Sequence, residues 1–449
     1  MRRQHLFGGA LLVLAGWASG QAQGQARAQL ELCEAVGTLT HNSDGSYFYS
    51  SDLRYGADTD GVTRWMKRLD ETLRADGVLL VAVPTPTRGM VNGGIVTDTA
   101  ALETLQIDFD AAAATAYYQD YVGSLAPLAA VDLAPWTRAL AGRTPGFQQR
   151  YDRHWTPEGA RTAAAATAAA LATNPRYAAL TKAAPTEFTT TLVGTGPGEN
   201  AIFELTEEKC GDLPDTLMEP VNLYETREAG QGDLFASDTP LVALAGTSFS
   251  TEPYNFDGFL SEALGQPVLN AAVSAGGLYT ALQDLLLNRE PGGNPRVIVW
   301  EYRLGDAALA NGEADFVPFR ELIASVHGDC GADALETNRA AVTGTDVALL
   351  TNTDPAVAGP GYYLRLQASD LSLVEFTITL THADGSADVA PIVRSTRVTN
   401  TGEYYLELSR EIQVPLTGVS LTVPAGTTGT VDAQLCRAPA PGALAARGP

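Results

Sequence analysis

Few residues in this chain could do covalent chemistry. Only five histidines occur in 449 residues, and His154 stands two positions after a carboxylate in the stretch YDRHWTPEGA (151–160). A serine, Ser248, lies in GTSFS (246–250), directly after the apolar run PLVALA. Serine is a weak nucleophile until a base takes its proton, and imidazole is an effective base only when a third group fixes its tautomer. Ser248, His154 and Asp152 supply those three roles. The expected chemistry is acyl transfer through a serine ester, with the Ser248 backbone N–H as one oxyanion donor. A second donor is expected from the loop SAGG, where Gly276 or Gly277 allows close backbone approach.

These residues need a scaffold that brings positions almost a hundred apart into contact. Thr156 and Pro157 read as the cap and first position of a helix that runs through the alanine-rich stretch 157–173. GVTRWMKRLDETLRADG has Trp65, Leu69 and Leu73 on one helical face, and VLLVAVPTP after it is a continuous apolar run, suited to a buried parallel strand. The order then repeats: strand 240–246, a helix with Phe256, Phe259, Leu260 and Leu264 inward and Gly265 as its stop, strand PVLNAAV, helix LYTALQDLLLN, and strand RVIVWEY (296–302). Alternation of this kind predicts an α/β fold, a parallel sheet with helices on both faces. Ser248 then sits at the carboxyl edge of the sheet. Tyr302, at the end of its strand, is expected on the same edge, in reach of substrate.

After Cys330 the texture changes to short Thr-, Val- and Tyr-rich segments (GYYLRLQAS, LVEFTITLTH, EYYLELS, GVSLTVPAG) separated by turn residues, which predicts an all-β sandwich. The expected division is a signal peptide at 1–28, an α/β domain at 29–329, a sandwich at 330–437 and a loose tail at 438–449. The signal peptide rests on Arg2 and Arg3, the apolar run LFGGALLVLAGW and the Ala26-Arg27-Ala28 site. Export places the four cysteines, Cys33, Cys210, Cys330 and Cys436, in an oxidising compartment. Three pairings are possible; Cys33–Cys210 with Cys330–Cys436 keeps each bridge within one domain.

The net charge is −23, and the first 28 residues hold three arginines and no acid, so their removal leaves −26. That excludes nucleic acid as a partner, and any anionic substrate needs a local basic patch. The cysteines form no C-x-x-C pair and no further ligand cluster joins Asp152 and His154, so no metal or other cofactor is expected. His41, His327 and His382 fall in turns or at the domain junction and read as surface residues.

Several spaced motifs together resemble a known family: LLVAVPTPTRGM, YDRHWTPEGA, GTSFS with YNFDGFL, VLNAAVSAGG, VIVWEYR, and the four cysteines in order. Over most of residues 30–437 the chain resembles the periplasmic alginate O-acetyltransferases with an SGNH-hydrolase-like domain. As in that family, the Asp and His precede the Ser, the reverse of ordinary SGNH esterases. The chain has D-x-H rather than D-x-x-H, and Thr247 replaces the usual aspartate before the serine. The resemblance implies a Ser248/His154/Asp152 triad, Cys33–Cys210 and Cys330–Cys436 bridges, and a carbohydrate-binding C-terminal module. It also implies a monomer in the periplasm that transfers acetyl groups to mannuronate residues of an anionic polysaccharide, alginate or polymannuronate, and works with a membrane acyltransferase as acetyl donor and with export-complex proteins. In the sandwich, Arg394 and Arg397 flank Ser395-Thr396, with Tyr404 close behind, as candidates for gripping uronate carboxylates. A secreted carbohydrate acetyl esterase and a non-catalytic polysaccharide-binding scaffold are the alternative readings.

Overall fold

The computed structural model describes residues 48–439, apart from 98, 142, 144–145, 151, 182–184, 198–219, 230–238, 290–292 and 312–315. The expected signal peptide, His41, Cys33, Cys210 and residues 440–449 lie outside the described residues.

A five-stranded sheet carries the site. β1 (Leu79–Thr85) and β7 (Val297–Arg303) are its centre, with β2 (Ala129–Ala130) beside β1, and β5 (Val242–Ala245) and β6 (Val268–Asn270) beyond β7. Every pairing is parallel, with Val81 opposite Val299 and Leu244 opposite the same Val299. β1 and β5 are buried along their whole length, which is why they read as continuous apolar runs rather than alternating ones. Helices flank the sheet. Asp60–Ala75 buries Leu69 and Leu73 and sets Trp65 against Phe316 and Phe319. Phe256–Leu264 buries Phe256, Phe259 and Leu260 and stops at Gly265, whose φ of 59° is the left-handed conformation expected of a helix stop.

β6 is shorter than its sequence suggested. The Ala272 N–H turns to the Asn270 side chain and the Val273 N–H to the Gly246 carbonyl, so the ladder ends at Asn270. An antiparallel hairpin, β3 (Phe188–Pro197) with β4 (Pro220–Glu228), was not anticipated. It docks on the Phe256–Leu264 helix through Glu262, which accepts from the Thr190 N–H at 3.1 Å.

From Glu336 onward the chain forms two four-stranded antiparallel sheets. One has the order β13 (Glu403–Glu407), β10 (Tyr362–Ala368), β15 (Thr430–Arg437), β8 (Glu336–Ala341). The other has the order β12 (Ala387–Val393), β11 (Glu375–His382), β14 (Leu416–Thr422), β9 (Asp346–Thr351). Alternate residues of β11 and β12 point inward, and Ile378, Leu380 and Ile392 share one core with Leu364, Leu406 and Leu435 of the other sheet. Cys330 is bonded to Cys436.

The helix Val317–His327 packs the two assemblies together and is buried on nearly every side. Arg320 pairs with Asp388 at 2.6 Å and donates to the Glu407 carbonyl, while Glu407 also meets Arg68 from the first helix. His327 and His382 are 9% and 3% exposed, so both are interior residues and not the surface residues expected. His327 was misjudged because it closes the buried helix Val317–His327, although the turn after it is exposed from Asp329; its ring packs beside Tyr363. The His382 ring is held at the Val414 carbonyl.

Candidate active site

The Asp152–His154 loop precedes a helix whose start is fixed twice over. The Thr156 hydroxyl caps it by accepting from the Gly159 N–H at 3.0 Å, and it donates to the Gly146 carbonyl at 2.6 Å. Main-chain bonds from Thr156 to Phe147 and from Gln149 to His154 close the loop from the other side. Gly159 is required there, since a Cβ would stand 2.0 Å from the Phe147 carbonyl oxygen. Within this frame one oxygen of Asp152 accepts both the His154 backbone N–H (2.7 Å) and the ring Nδ1–H (2.5 Å). An aspartate two residues ahead of its partner can do this because its short side chain folds back on its own backbone. This makes the D-x-H spacing workable.

The serine arrives from β5. After Ala245 the chain enters a single 3-10 turn, Ser248–Ser250, capped by Thr247. As the first residue of that turn, Ser248 has an N–H with no partner inside it. The Ser248 hydroxyl lies 2.7 Å from His154 Nε2. Aromatic groups hold the imidazole in place: Tyr254 stacks on it at 5.4 Å and Phe249 lies against it at 4.6 Å. Trp155 ties the two segments, its indole N–H donating to the Phe249 carbonyl at 2.6 Å. Asp152 is fully buried, His154 is 5% exposed and Ser248 is half-buried. A hydroxyl, an imidazole and a carboxylate are therefore in line, with solvent access at the serine end.

One supporting residue was missed. Glu301 of β7 is 1% exposed and lies beneath the serine turn. It accepts from the Thr247 N–H at 2.7 Å, from the Thr247 and Ser250 hydroxyls at 3.0 Å each, and from the Thr85 hydroxyl at 3.2 Å. Burial pushes its carboxyl above the usual range, while these donors pull the other way. Thr247, standing where the resemblance expects aspartate, thus has a carboxylate supplied from the neighbouring strand. A lone glutamate inside the apolar run VIVWEYR was the available signal.

Other expectations need correction. Gly276 is not an oxyanion donor, because its N–H closes a turn on the Val273 carbonyl at 2.9 Å. Tyr302 does not reach substrate. It is fully buried and shares a 2.8 Å hydrogen bond with Tyr121, since β7 has no exposed face. Arg394 is 3% exposed and faces Glu321, the Glu403 carbonyl and the Tyr404 ring. Tyr404 is interior as well, with its hydroxyl on the Leu373 carbonyl. β12 ends at Val393, so Arg394 and Arg397 both lie beyond that strand. Arg397 alone is exposed, and its guanidinium donates to the Ser274 carbonyl at 2.7 Å, in the SAGG loop of the other assembly.

Residues 45–304 match the family model described as SGNH hydrolase-like domain, acetyltransferase AlgX. The chain belongs to the AlgX family. It is 29% identical over 373 residues to the alginate biosynthesis protein AlgX of Pseudomonas fluorescens, covering 80% of this chain and 73% of that one. It is 34% identical over 161 residues to a probable alginate O-acetylase, AlgJ, of Pseudomonas syringae pv. tomato, covering 34% of this chain and 40% of the relative. In three dimensions it is similar to Pseudomonas aeruginosa AlgX, with a TM-score of 0.76 at 25% identity, covering 90% of this chain and 95% of the other. The AlgX-type architecture, an SGNH-like parallel sheet followed by antiparallel sheets, is the one described above. Among the described residues no helix is long and apolar enough to cross a membrane.

Proposed function

We propose that the chain is a periplasmic, serine-dependent O-acetyltransferase that moves acetyl groups to hydroxyls of mannuronate residues in alginate. The observation that carries this reading is the unbroken hydrogen-bonded line from Ser248 through His154 to Asp152, inside a family described as acetyltransferases. Ser248 Oγ attacks the acetyl carbonyl of a donor as His154 Nε2 takes the hydroxyl proton, and Asp152 stabilises the imidazolium. Collapse of the tetrahedral intermediate expels the donor's leaving group, which receives that proton, and leaves acetyl-Ser248. A sugar hydroxyl then attacks the acetyl carbonyl and gives its proton to His154. The second collapse breaks the Ser248 ester bond, returns the proton to Ser248 and releases the sugar ester. The Ser248 N–H supports each oxyanion, and Gly277, at φ 60° with open space at its Cβ position, is the remaining candidate for the second donor.

The antiparallel sheets act as the polymer-retaining module, which raises the acceptor's effective concentration at the serine. The names of the relatives, alginate biosynthesis protein and probable alginate O-acetylase, support the acceptor. A membrane acyltransferase supplies the acetyl group, and export-complex proteins are the partners. Incubation with a soluble acetyl ester and polymannuronate tests the reading. Acetylated polymer that disappears in Ser248→Ala supports it, whereas ester hydrolysis with no polymer acetylation replaces it with an esterase.

A further inference from the structure

A cavity of about 400 Å³ opens at the carboxyl ends of β1 and β7, within the range of small-ligand sites. Its wall adjoins the candidate triad in the chain: Phe249 directly follows Ser248, and Arg153 stands between Asp152 and His154. In an open parallel sheet this is where ligands bind, outside the strand ends where the strand order reverses. Here β1 is followed by β2 on one side and β5 by β6 on the other, with β7 between them.

The charge of the wall runs against that of the molecule. In a chain of net charge −23, four arginines line the cavity, Arg54, Arg88, Arg153 and Arg303, and among the described residues Asp52 is the one acidic lining residue. Arg153, Arg88 and Arg303 all act on the buried Asp52 carboxyl and Asp306 pairs with Arg303, so three guanidiniums share two acids. Gathering like charges is unfavourable unless something balances them. Two are anchored from behind, Arg88 on the Arg150 carbonyl at 2.9 Å and Arg303 on Asp306, so little ordering is needed when an anion enters. Most of the rest of the wall is apolar or aromatic, with Ser51, Thr85, Thr87 and Gln148 as its neutral polar residues. Tyr55 and Tyr117 lie at 6.4 Å from one another, and Leu309, 77% exposed, forms part of the lip. A site for a bare inorganic anion has no use for such a wall. A uronate residue does, because it joins a planar carboxylate for arginine to a ring with an apolar C–H face for aromatic packing.

We propose that this arginine-lined cavity is the acceptor subsite for a uronate residue, which it recognises through the carboxylate beside Ser248. The inference rests on the acetyltransferase reading and adds the groups that select an anionic sugar. Arg397 then belongs to a different stretch of the polymer, at the sheet-to-sandwich junction.

The test uses the full chain carrying Ser248→Ala, so that binding is read without turnover. Calorimetry compares a mannuronate hexamer with its methyl ester, which keeps the sugar and removes the charge. The free acid is expected to bind at least tenfold more tightly. Arg54→Gln and Arg303→Gln are each expected to weaken acid binding about tenfold while leaving ester binding unchanged. Arg54 is exposed and among the described residues makes only a long 3.5 Å bond to the Leu105 carbonyl, so its replacement does not threaten folding. Equal affinity for acid and ester overturns the inference. So does a preference that survives both substitutions and vanishes in Arg397→Gln. Acid-selective binding lost on Arg54→Gln, in a chain that acetylates no polymer, keeps the subsite and removes the transferase. Polymer acetylation without acid preference does the reverse.

Discussion

Asp152 accepts two hydrogen bonds from His154 on one oxygen, so it fixes the ring and the loop that carries it together. Removing any member of such a unit removes most of its function, and the losses do not add. Ser248→Ala, His154→Ala and Asp152→Ala are each expected to lower acetyl-ester turnover by on the order of 10³-fold or more, and Ser248→Ala/His154→Ala to be no worse than the worse single variant. Steady-state kinetics on a nitrophenyl acetate checks this; near-normal turnover by His154→Ala removes the mechanism. Glu301 acts one step further back, through the Thr247 N–H and two hydroxyls of the serine turn. In Glu301→Gln a donor faces these donors, and the turn must shift. The expected result is a fall of about tenfold in kcat with little change in KM, in line with the cost of misplacing a nucleophile; an unchanged kcat at normal stability confines Glu301 to packing. The juxtaposition of Ser248, His154 and Asp152 was legible because histidine is scarce here and because a capping threonine fixed where its helix begins. Glu301 was not, because its strand reads as apolar core, and Tyr302 was misread for the same reason: a strand covered on both faces offers no edge residue to solvent. Arg394 failed differently, since nothing in the local sequence reveals that Glu321, seventy-three positions earlier, comes to meet it.

At the scale of elements, the helix Val317–His327 concentrates titratable groups in the seam between the two assemblies. Burial pushes Glu321, facing Arg394 and Arg320, and Glu407, facing Arg68, Arg320 and Arg410, up to about 7 from 4.5. Burial, helped by Arg68, pulls His327 down to about 4 from 6.5. Each glutamate holds a proton when folded that it has released when unfolded, between pH 4.5 and about 7. Its contribution to stability is therefore complete below 4.5 and is lost as the pH rises through about 7. His327 has the opposite sign: its contribution is present above 6.5 and is lost as the pH falls toward about 4. Two carboxyls oppose one imidazole, and the buried carboxyls of Asp52 and Glu301 are shifted in the same direction as the glutamates. The melting temperature is therefore expected to rise by a few degrees between about pH 7.5 and about pH 5.5. Glu321→Gln should flatten that rise, as differential scanning calorimetry at the two pH values would show. A wild-type melting temperature that falls over this interval would contradict the assignment. The alternation of strand and helix was readable because β1, β5 and β7 announce themselves as buried apolar runs. The β3–β4 hairpin was not, because threonine-rich, mostly exposed strands carry no inward pattern, and neither this seam nor its charges follow from any local periodicity.

Across the whole molecule, Cys330 and Cys436 bracket the antiparallel sheets, joining the segment before β8 to the last strand, 106 positions apart. Closing a loop of that length restricts the unfolded chain, and removing such a bridge costs roughly 2–5 kcal/mol. Cys330→Ser/Cys436→Ser is expected to melt earlier under non-reducing conditions. The position of the bridge has another consequence, for force. Tension applied to the C-terminal tail enters at Cys436, crosses the sulfurs to Cys330 and passes into the Val317–His327 helix, by-passing every strand between. The sandwich is mechanically shielded: its sheets cannot be drawn out to full length by a pull from that end. In a single-molecule stretching experiment about 350 Å of contour length, at ~3.3–3.6 Å per extended residue, should stay hidden until a reductant is added.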